Sequence, residues 1–387
     1  MAVLSDAQRE AGWTIAKLGD AVDKIIDHRG KTPKKLGGDW SMSGHRVISA
    51  LNIKNGVIDQ NYHHMIDAEM YEKWMPVKFS VGDVIVTSEA PMGEVARIRT
   101  IEESQWVAGQ RIFALKPDNK IVNSRYLYYS FLSSEVQHGL HSRSSGTTVI
   151  GIKQKELKEV EIPLPPLEEQ ERIAGILGSL DDKIEANTRL IQTLDSLGEA
   201  ATRKYLKSVQ KTQKLNDIAH IVMGQSPKGE TLNTEGSGVL FFQGKKDFGF
   251  RYPTPRTYTT AATRMAEPLD ILFSVRAPIG ALNRSVEACC VGRGLAAIRS
   301  SCGQENTLFY TLKTNPNLWE KFEGEGTIFS AINKKGLSEL DIPFSETAIS
   351  NGVEDFLTSV EQEIFSLEQE NLQLAETRDA LIKRLIG

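Results

Sequence analysis

Two stretches of the chain place apolar side chains at alternating steps of four and three. The first holds Ile173, Leu177, Leu180, Ile184, Ile191 and Leu194, and the same frame continues through Gly198, Ala201 and Tyr205. The second holds Val353, Leu357, Val360, Ile364, Leu367 and Leu374, then Leu381 and Leu385, with Arg378 interrupting near the end. Such a heptad rhythm predicts long helices with a coiled-coil seam. Pro165-Pro166 forbids an earlier start, so the first helix is expected over 167–207 and the second over 346–387. A helix of that length spans about 60 Å at ~1.5 Å per residue.

One asparagine sits on each seam, Asn187 and Asn371. When the two helices are matched, Asn371 falls at position 191 of the first, close to the midpoint, 187. Two antiparallel helices related by a pseudo-two-fold axis would bring these side chains to one level. A hydrogen bond between them would fix the register; the alternative, favoured on sequence alone, is that each faces solvent beside a locally irregular seam.

Outside the helices the pattern changes. Short apolar runs such as Val84-Ile85-Val86 and Ile271-Leu272-Phe273, bounded by Gly and Pro, read as buried strands. Tyr126 to Leu132 and Leu308 to Leu312 read as short helices. The chain is also written twice. Lys17-Leu18-Gly19-Asp20 returns as Lys214-Leu215-Asn216-Asp217, and Gly82-Asp83-Val84-Ile85 as Leu269-Asp270-Ile271-Leu272. Ala90-Pro91-Met92-Gly93 returns as Ala277-Pro278-Ile279-Gly280, Gly146-Thr147 as Gly326-Thr327, and Glu161-Ile162-Pro163 as Asp341-Ile342-Pro343. The expected plan is two mixed α/β (α+β) globules, 1–166 and 208–345, in pseudo-two-fold tandem, separated by two long antiparallel helices that form an intramolecular coiled coil.

With 387 residues, 40% hydrophobic and 25% charged, the chain suits two domains rather than one core. It has no apolar run of membrane-spanning length, and the polar start MAVLSDAQREAGW argues for the cytoplasm. Cys289, Cys290 and Cys302 lack disulfide or zinc spacing and read as small buried or partly buried thiols. His63-His64 has no ligand partner nearby in sequence and reads as an ordinary loop pair. Net charge is −4, but Lys24, Arg29, Lys31, Lys34 and Lys35 face one acid, Asp27, and Lys245, Lys246, Arg251 and Arg256 face Asp247. Local cationic surface is therefore available to a polyanion.

The segment Ile162-Pro163-Leu164-Pro165-Pro166-Leu167-Glu168-Glu169-Gln170, with Arg172-Ile173 and Leu180-Asp181-Asp182-Lys183-Ile184, resembles the central conserved region of type I restriction–modification specificity subunits. Gly82 to Gly93 resembles their GD-strand-turn element, and the two-copy plan matches over nearly the whole chain. The second copy departs from the pattern, with Pro343-Phe344-Ser345 and no LEEQ signature. The resemblance implies two target-recognition domains, each reading half of a split sequence in double-stranded DNA. It also implies two methyltransferase (modification) subunits and two restriction subunits as partners. Those partners would carry the chemistry, with S-adenosylmethionine, ATP and Mg, while this chain binds no cofactor or metal and has no catalytic residue. Half-sites about one helical turn, or ~34 Å, apart would meet one face of the duplex.

Base edges are read mostly by Arg, Lys, Asn and Gln, and phosphates are held by cations and small hydroxyls. In the first copy the candidates are Arg29, Lys31, Thr32, Lys34, Lys35, Gln110, Arg111, Arg143, Ser144 and Thr147. In the second they are Gln225, Ser226, Lys228, Gln243, Lys245, Lys246, Arg251, Arg276 and Arg293. Phe241, Phe242, Phe248 and Phe250 could stack on bases, but core packing is the favoured reading.

Enzyme motifs do not hold up. Gly224 to Thr231 has Glu230 where a phosphate loop needs lysine. Pro165-Pro166 is flanked by Leu164 and Leu167, so the amide and aromatic of an amino-methyltransferase motif are missing. The alternative from another class is a coiled-coil protein scaffold that never reads DNA, which would show no salt-sensitive DNA affinity.

Overall fold

The computed structural model describes residues 4–54, 56–59, 64–146, 149–322 and 331–387. The chain divides into two compact units: unit one comprises 1–184 and 372–387, and unit two comprises 185–371.

Unit one is built on an antiparallel sheet whose strands lie in the order Val22–Asp27, Ile112–Pro117, Val84–Thr87, Val95–Arg97. Its central strands are apolar on both faces because each face meets a different core. Val84, Val86, Phe113 and Leu115 point into one cluster. Ile85, Ile112 and Ala114 point into another. That is the period-two alternation of a strand buried on both sides. A smaller sheet pairs His45–Ile48 antiparallel with Met65–Ile66 and parallel with Val107–Ala108.

Unit two repeats this plan. Its sheet runs Ala219–Met223, Leu295–Ser300, Ile271–Ser274, Leu282–Arg284. Ile271 and Phe273 face one core and Leu272 the other. The parallel pairing recurs between Val239–Phe242 and Cys289–Val291. Ala90-Pro91 and Ala277-Pro278 are both cis. The repeated acid does the same work in each copy: Asp83 accepts from Lys116 Nζ at 2.9 Å, and Asp270 accepts from Arg299 Nε at 2.7 Å. Cys289 and Cys290 are buried and Cys302 partly so; all three are free thiols.

The short helices expected at Tyr126 and Leu308 run Ser124–Leu132 and Glu305–Thr314. The first long helix spans Leu167–Leu206, 40 residues. Gln170 explains why it starts there. This side chain is 1% exposed. It donates to the carbonyls of Pro165 (2.9 Å) and Ile121 (3.0 Å), and accepts from Asn123 N–H at 2.8 Å. Asn123 in turn caps the short helix. The LEEQ signature therefore ties two helix starts together.

The second copy lacks that glutamine, and a carboxylate on its long helix takes the accepting role. Glu354 on the long helix accepts from the N–H groups of Asn306 and Thr307 at 3.0 and 2.8 Å. Its helix does not begin at 346. A short turn, Thr347–Ser350, ends at Gly352 in the left-handed region (φ +73°), and the long helix spans Val353–Leu385, 33 residues.

The seam follows the expected frame for most of its length. Ile173, Leu177, Ile191, Leu357, Val360, Ile364 and Leu367 are buried. Leu180, Ile184, Leu194, Val353 and Leu374 are half-buried. Near the end the frame moves. Ile382 and Ile386 are buried, while Leu381 and Leu385 only lean on the core. There the helix packs against the core of unit one, so its buried stripe follows that surface rather than a two-helix seam. Arg378 does not simply break the pattern: its Nη1 donates to Asp181 Oδ1 at 2.8 Å.

In unit two the helices run antiparallel. Asn187 Nδ2 donates to Asn371 Oδ1 at 3.0 Å, and further along Tyr205 Oη donates to Ser345 O at 2.7 Å. Among the described residues no helix is long and apolar enough to cross a membrane.

Candidate nucleic-acid interface

In each unit four loops converge at one end of the parallel strand pair. In unit two, Gly224 and Gln225 N–H donate to Leu295 O and Val291 O, both at 2.9 Å. Ser226 Oγ donates to Gln243 Oε1 at 2.8 Å and accepts from Arg293 N–H at 3.3 Å. Gly292 and Gly294 N–H donate to Phe242 O (2.9 Å) and Gln243 O (3.1 Å), and Val275 N–H to Gly294 O (3.0 Å). This seam of bonds lays Gln225, Ser226, Gln243, Arg293 and, next to Val275, Arg276 around one surface, with Lys228, Lys245 and Lys246 exposed beside it.

Unit one has the same frame. Gly109 N–H donates to Ile48 O at 2.8 Å, Ala50 N–H to Gln110 O at 3.2 Å, and Ser88 N–H to Arg111 O at 2.8 Å. Gln110 Nε2 reaches Lys31 O at 2.7 Å. The glycine at the third loop allows a close approach in both copies, more tightly at Gly109 than at Gly292. A Cβ at Gly109 would stand 2.6 Å from Ile48 O, and one at Gly292 would stand 3.0 Å from Gln243 Cα.

The correspondence exposes a repeat that the sequence reading passed over: Gly30-Lys31-Thr32-Pro33-Lys34 matches Gly224-Gln225-Ser226-Pro227-Lys228. Gly, Ser/Thr, Pro and Lys at fixed spacing were the available signal.

Several candidates spend part of their hydrogen-bonding capacity internally. Arg29 is held by Asp27 (Nη2–Oδ2 2.6 Å), which raises its pKa, and its guanidinium lies 4.4 Å from the Phe113 ring centre. Lys31 Nζ donates to Trp74 O (3.3 Å) and Lys35 Nζ to Gly30 O (2.8 Å). Thr32 Oγ1 accepts from Lys35 N–H at 3.3 Å, and Lys34 is exposed. Arg111 pairs with Glu89 at 3.2 Å. Arg143 and Ser144 end the helix Ser134–Ser142, close in sequence to Ser145, which bridges to Gly151. Thr147 lies outside the described residues, as does His63.

A cavity of about 370 Å³ opens between Lys31, Thr32, Gln110 and Arg111, floored by Trp74 and walled by Trp40. Trp40 stacks on His64 at 4.4 Å; neither aromatic was singled out as a candidate contact. His28, just before this loop, is buried, and burial lowers its pKa to about 4. Phe241 and Phe242 are buried, Phe248 partly so, while Phe250 is exposed.

Arg251 must be removed from the candidates. It is 2% exposed and its guanidinium is ion-paired inside unit two with Asp195 and Glu361. It lies in a cationic stretch of sequence, but burial of that stretch is a tertiary property.

Two tandem mixed α/β units, each presenting a basic loop cluster and each sharing in a pair of long helices, are one plan written twice. The family model described as "Type I restriction modification DNA specificity domain" matches residues 10–196. The putative type I restriction enzyme MjaX specificity subunit of Methanocaldococcus jannaschii is 28% identical over 97% of this chain and 92% of its own length. The MjaVIII specificity subunit of the same organism is 34% identical over 54% of this chain and 46% of its own. In fold, the chain is similar to the type I restriction–modification S subunit from M. genitalium, with TM-score 0.59, 18% identity, and 100% of this chain and 98% of that one covered. The chain is similar to the DNA specificity subunits of type I restriction–modification enzymes, through the family model over 10–196 and through relatives along nearly its whole length. Members of this family recognise the DNA target, and catalysis lies in partner subunits.

Proposed function

We propose that each unit reads one half of a bipartite double-stranded DNA target through its loop cluster. The helix pair sets the unread gap. The observation that carries this is the repetition itself: four corresponding loops, joined by two equivalent backbone bonds and by further bonds particular to each unit, present Lys, Arg, Gln and Ser or Thr in both units. Those donors match the acceptors on guanine and adenine edges and on phosphates.

The chain recruits two methyltransferase subunits and two restriction subunits, and works in the cytoplasm. S-adenosylmethionine, ATP and Mg act on those partners; this chain positions them on DNA. The test is to assemble the chain with its methyltransferase and sequence the methylated adenines. The expected result is a split motif with a constant gap and an affinity that falls steeply with salt. A complex without sequence preference or salt dependence would leave the protein-scaffold reading in its place.

A further inference from the structure

The loop that follows Gln243 does not end at the DNA-reading cluster. After the single turn Lys245–Asp247 the chain doubles back, with Phe248 bridged to Pro253 and Gly249 N–H donating to Tyr252 O at 3.1 Å. Arg251 sits at the tip of this hairpin. Its backbone is pinned twice: its N–H donates to Glu368 Oε1 at 3.3 Å, and its carbonyl accepts from Arg284 N–H at 2.9 Å. Its side chain goes further. Nη2 donates to Asp195 Oδ1 and to Tyr310 Oη at 3.2 Å, and Nε lies 3.2 Å from Glu361 Oε2. The guanidinium also lies 4.4 Å from the Phe309 ring centre.

Asp195 belongs to the first long helix, and Glu361 and Glu368 belong to the second. One arginine from a head loop therefore grips both helices. Its surroundings hold further charges: Arg284 is 3.4 Å from Glu361, and Lys313 pairs with Asp195 and, at 3.2 Å, with Glu199.

Unit one solves the same problem differently. Asp181 occupies the position in the first helix that Glu361 occupies in the second. It accepts from Tyr129 Oη at 2.7 Å, as Glu361 accepts from Tyr310 Oη at 2.8 Å. Its cation is Arg378, which comes from the second long helix and not from a head loop. There the ion pair joins helix to helix.

Resting on the proposed DNA reading, we infer that Arg251 is a positioning residue. It locks the Lys245–Lys246 turn to both long helices, so that base discrimination in unit two depends on the helix pair through this side chain. A buried charge cannot leave its partners without stranding them. A reading turn only a few residues away is therefore held to the small tolerance that base contacts demand.

The experiment uses the full chain assembled with its methyltransferase, with methylated adenines mapped genome-wide. The half-site of unit two is identified as the one whose base preferences change in Arg293→Ala. Arg251→Met is expected to lose discrimination about tenfold at those base pairs while the other half stays unchanged. Arg251→Lys, which keeps one ion pair, is expected to recover part of the loss. Equal relaxation of both halves, as from general loosening, would overturn the inference; so would no change in either. Should Arg251→Met not fold, Asp195→Asn keeps the shape and leaves Glu361 as counter-charge. It must relax the same half-site alone, and any other outcome overturns the proposal. An unaltered complex with no split target would overturn the DNA reading itself and this inference with it.

Discussion

Asn187 Nδ2 donates to Asn371 Oδ1 at 3.0 Å, joining the two long helices through the asparagine that each carries on its seam. The same Nδ2 reaches Glu370 Oε2 at 2.7 Å, and Asn371 Nδ2 reaches Thr188 Oγ1 at 3.5 Å. A polar rung flanked by Ile191 on one helix and Leu367 on the other satisfies its own donors only in one register.

Truncating either asparagine removes the bond between them and leaves the other with its remaining partner, Glu370 or Thr188. Asn187→Ala and Asn371→Ala should each cost about 1–2 kcal/mol in urea unfolding. The double substitution should cost less than the sum of the two. Paired Asn187→Leu and Asn371→Leu should raise the melting temperature while permitting slipped pairing, which cross-linking of cysteines placed along the two helices would detect. Strictly additive single costs would show that the two side chains do not interact.

Two groups, one half-buried and one buried, should give stability opposite dependences on pH. Burial raises the Glu368 carboxyl to about 7, so the folded chain holds a proton that the unfolded chain releases near its usual carboxylate range. Its contribution is full below the unfolded value and is lost as pH rises toward 7. Glu368→Gln should remove that decline and stabilise the fold at pH 8 by on the order of 1 kcal/mol. His28, lowered to about 4, behaves oppositely. The unfolded chain takes up a proton near 6.5, so stability falls as pH drops from there toward 4. His28→Gln should flatten that acid limb, read as the unfolding midpoint at pH 5 against pH 7.

Contacts to phosphate and to bases should separate in binding experiments. Lys228→Ala should weaken binding to all sequences and reduce the slope of log affinity against log salt by about 1. Arg293→Ala should instead relax preference at one base position, by about 1–3 kcal/mol, with the slope little changed. Titration of the assembled complex against cognate and substituted duplexes at several salt concentrations distinguishes the two. An unchanged slope in Lys228→Ala would take that lysine off the phosphate backbone.

The moved seam makes a prediction about packing. Ile382→Ala or Ile386→Ala removes a fully buried side chain and should cost about 2–5 kcal/mol. Leu381→Ala and Leu385→Ala, at half-buried positions, should each cost clearly less. Equal losses at all four positions would place the heptad frame, and not the core of unit one, in charge of this helix end.

Gln170 carries three hydrogen bonds from a side chain buried at the start of the first long helix. Gln170→Leu keeps the volume but orphans Asn123 N–H and two carbonyls. It should destabilise by about 2–4 kcal/mol in thermal unfolding, since each buried unsatisfied group costs about 1–3 kcal/mol.

Much of the architecture was legible because it rests on local periodicity. The heptad steps, the Pro165-Pro166 start and the doubled strand-turn elements are all carried by neighbours in sequence. The start of the second long helix was less legible. Its boundary depends on Gly352 and on Glu354 capping a helix almost fifty residues earlier in the chain. The candidate interface was half visible. Basic and amide side chains could be picked out, and the Gly-x-Ser/Thr-Pro-Lys repeat was there to be found. Trp40 could not be: its place beside Lys31 and Arg111 is set by chain folding, not by spacing.

The sequence by itself determined that the chain is duplicated, that two helices pair along an apolar seam, and that one asparagine interrupts each. These follow from repeating patterns that act over a few residues. Only the tertiary structure decided which cations face outward. Arg251 lies in a basic stretch and Arg293 between two glycines, so local sequence favours Arg251 as the exposed cation. One is closed in by carboxylates from both long helices and the other stands exposed, because burial and counter-charge come from residues far away in the chain.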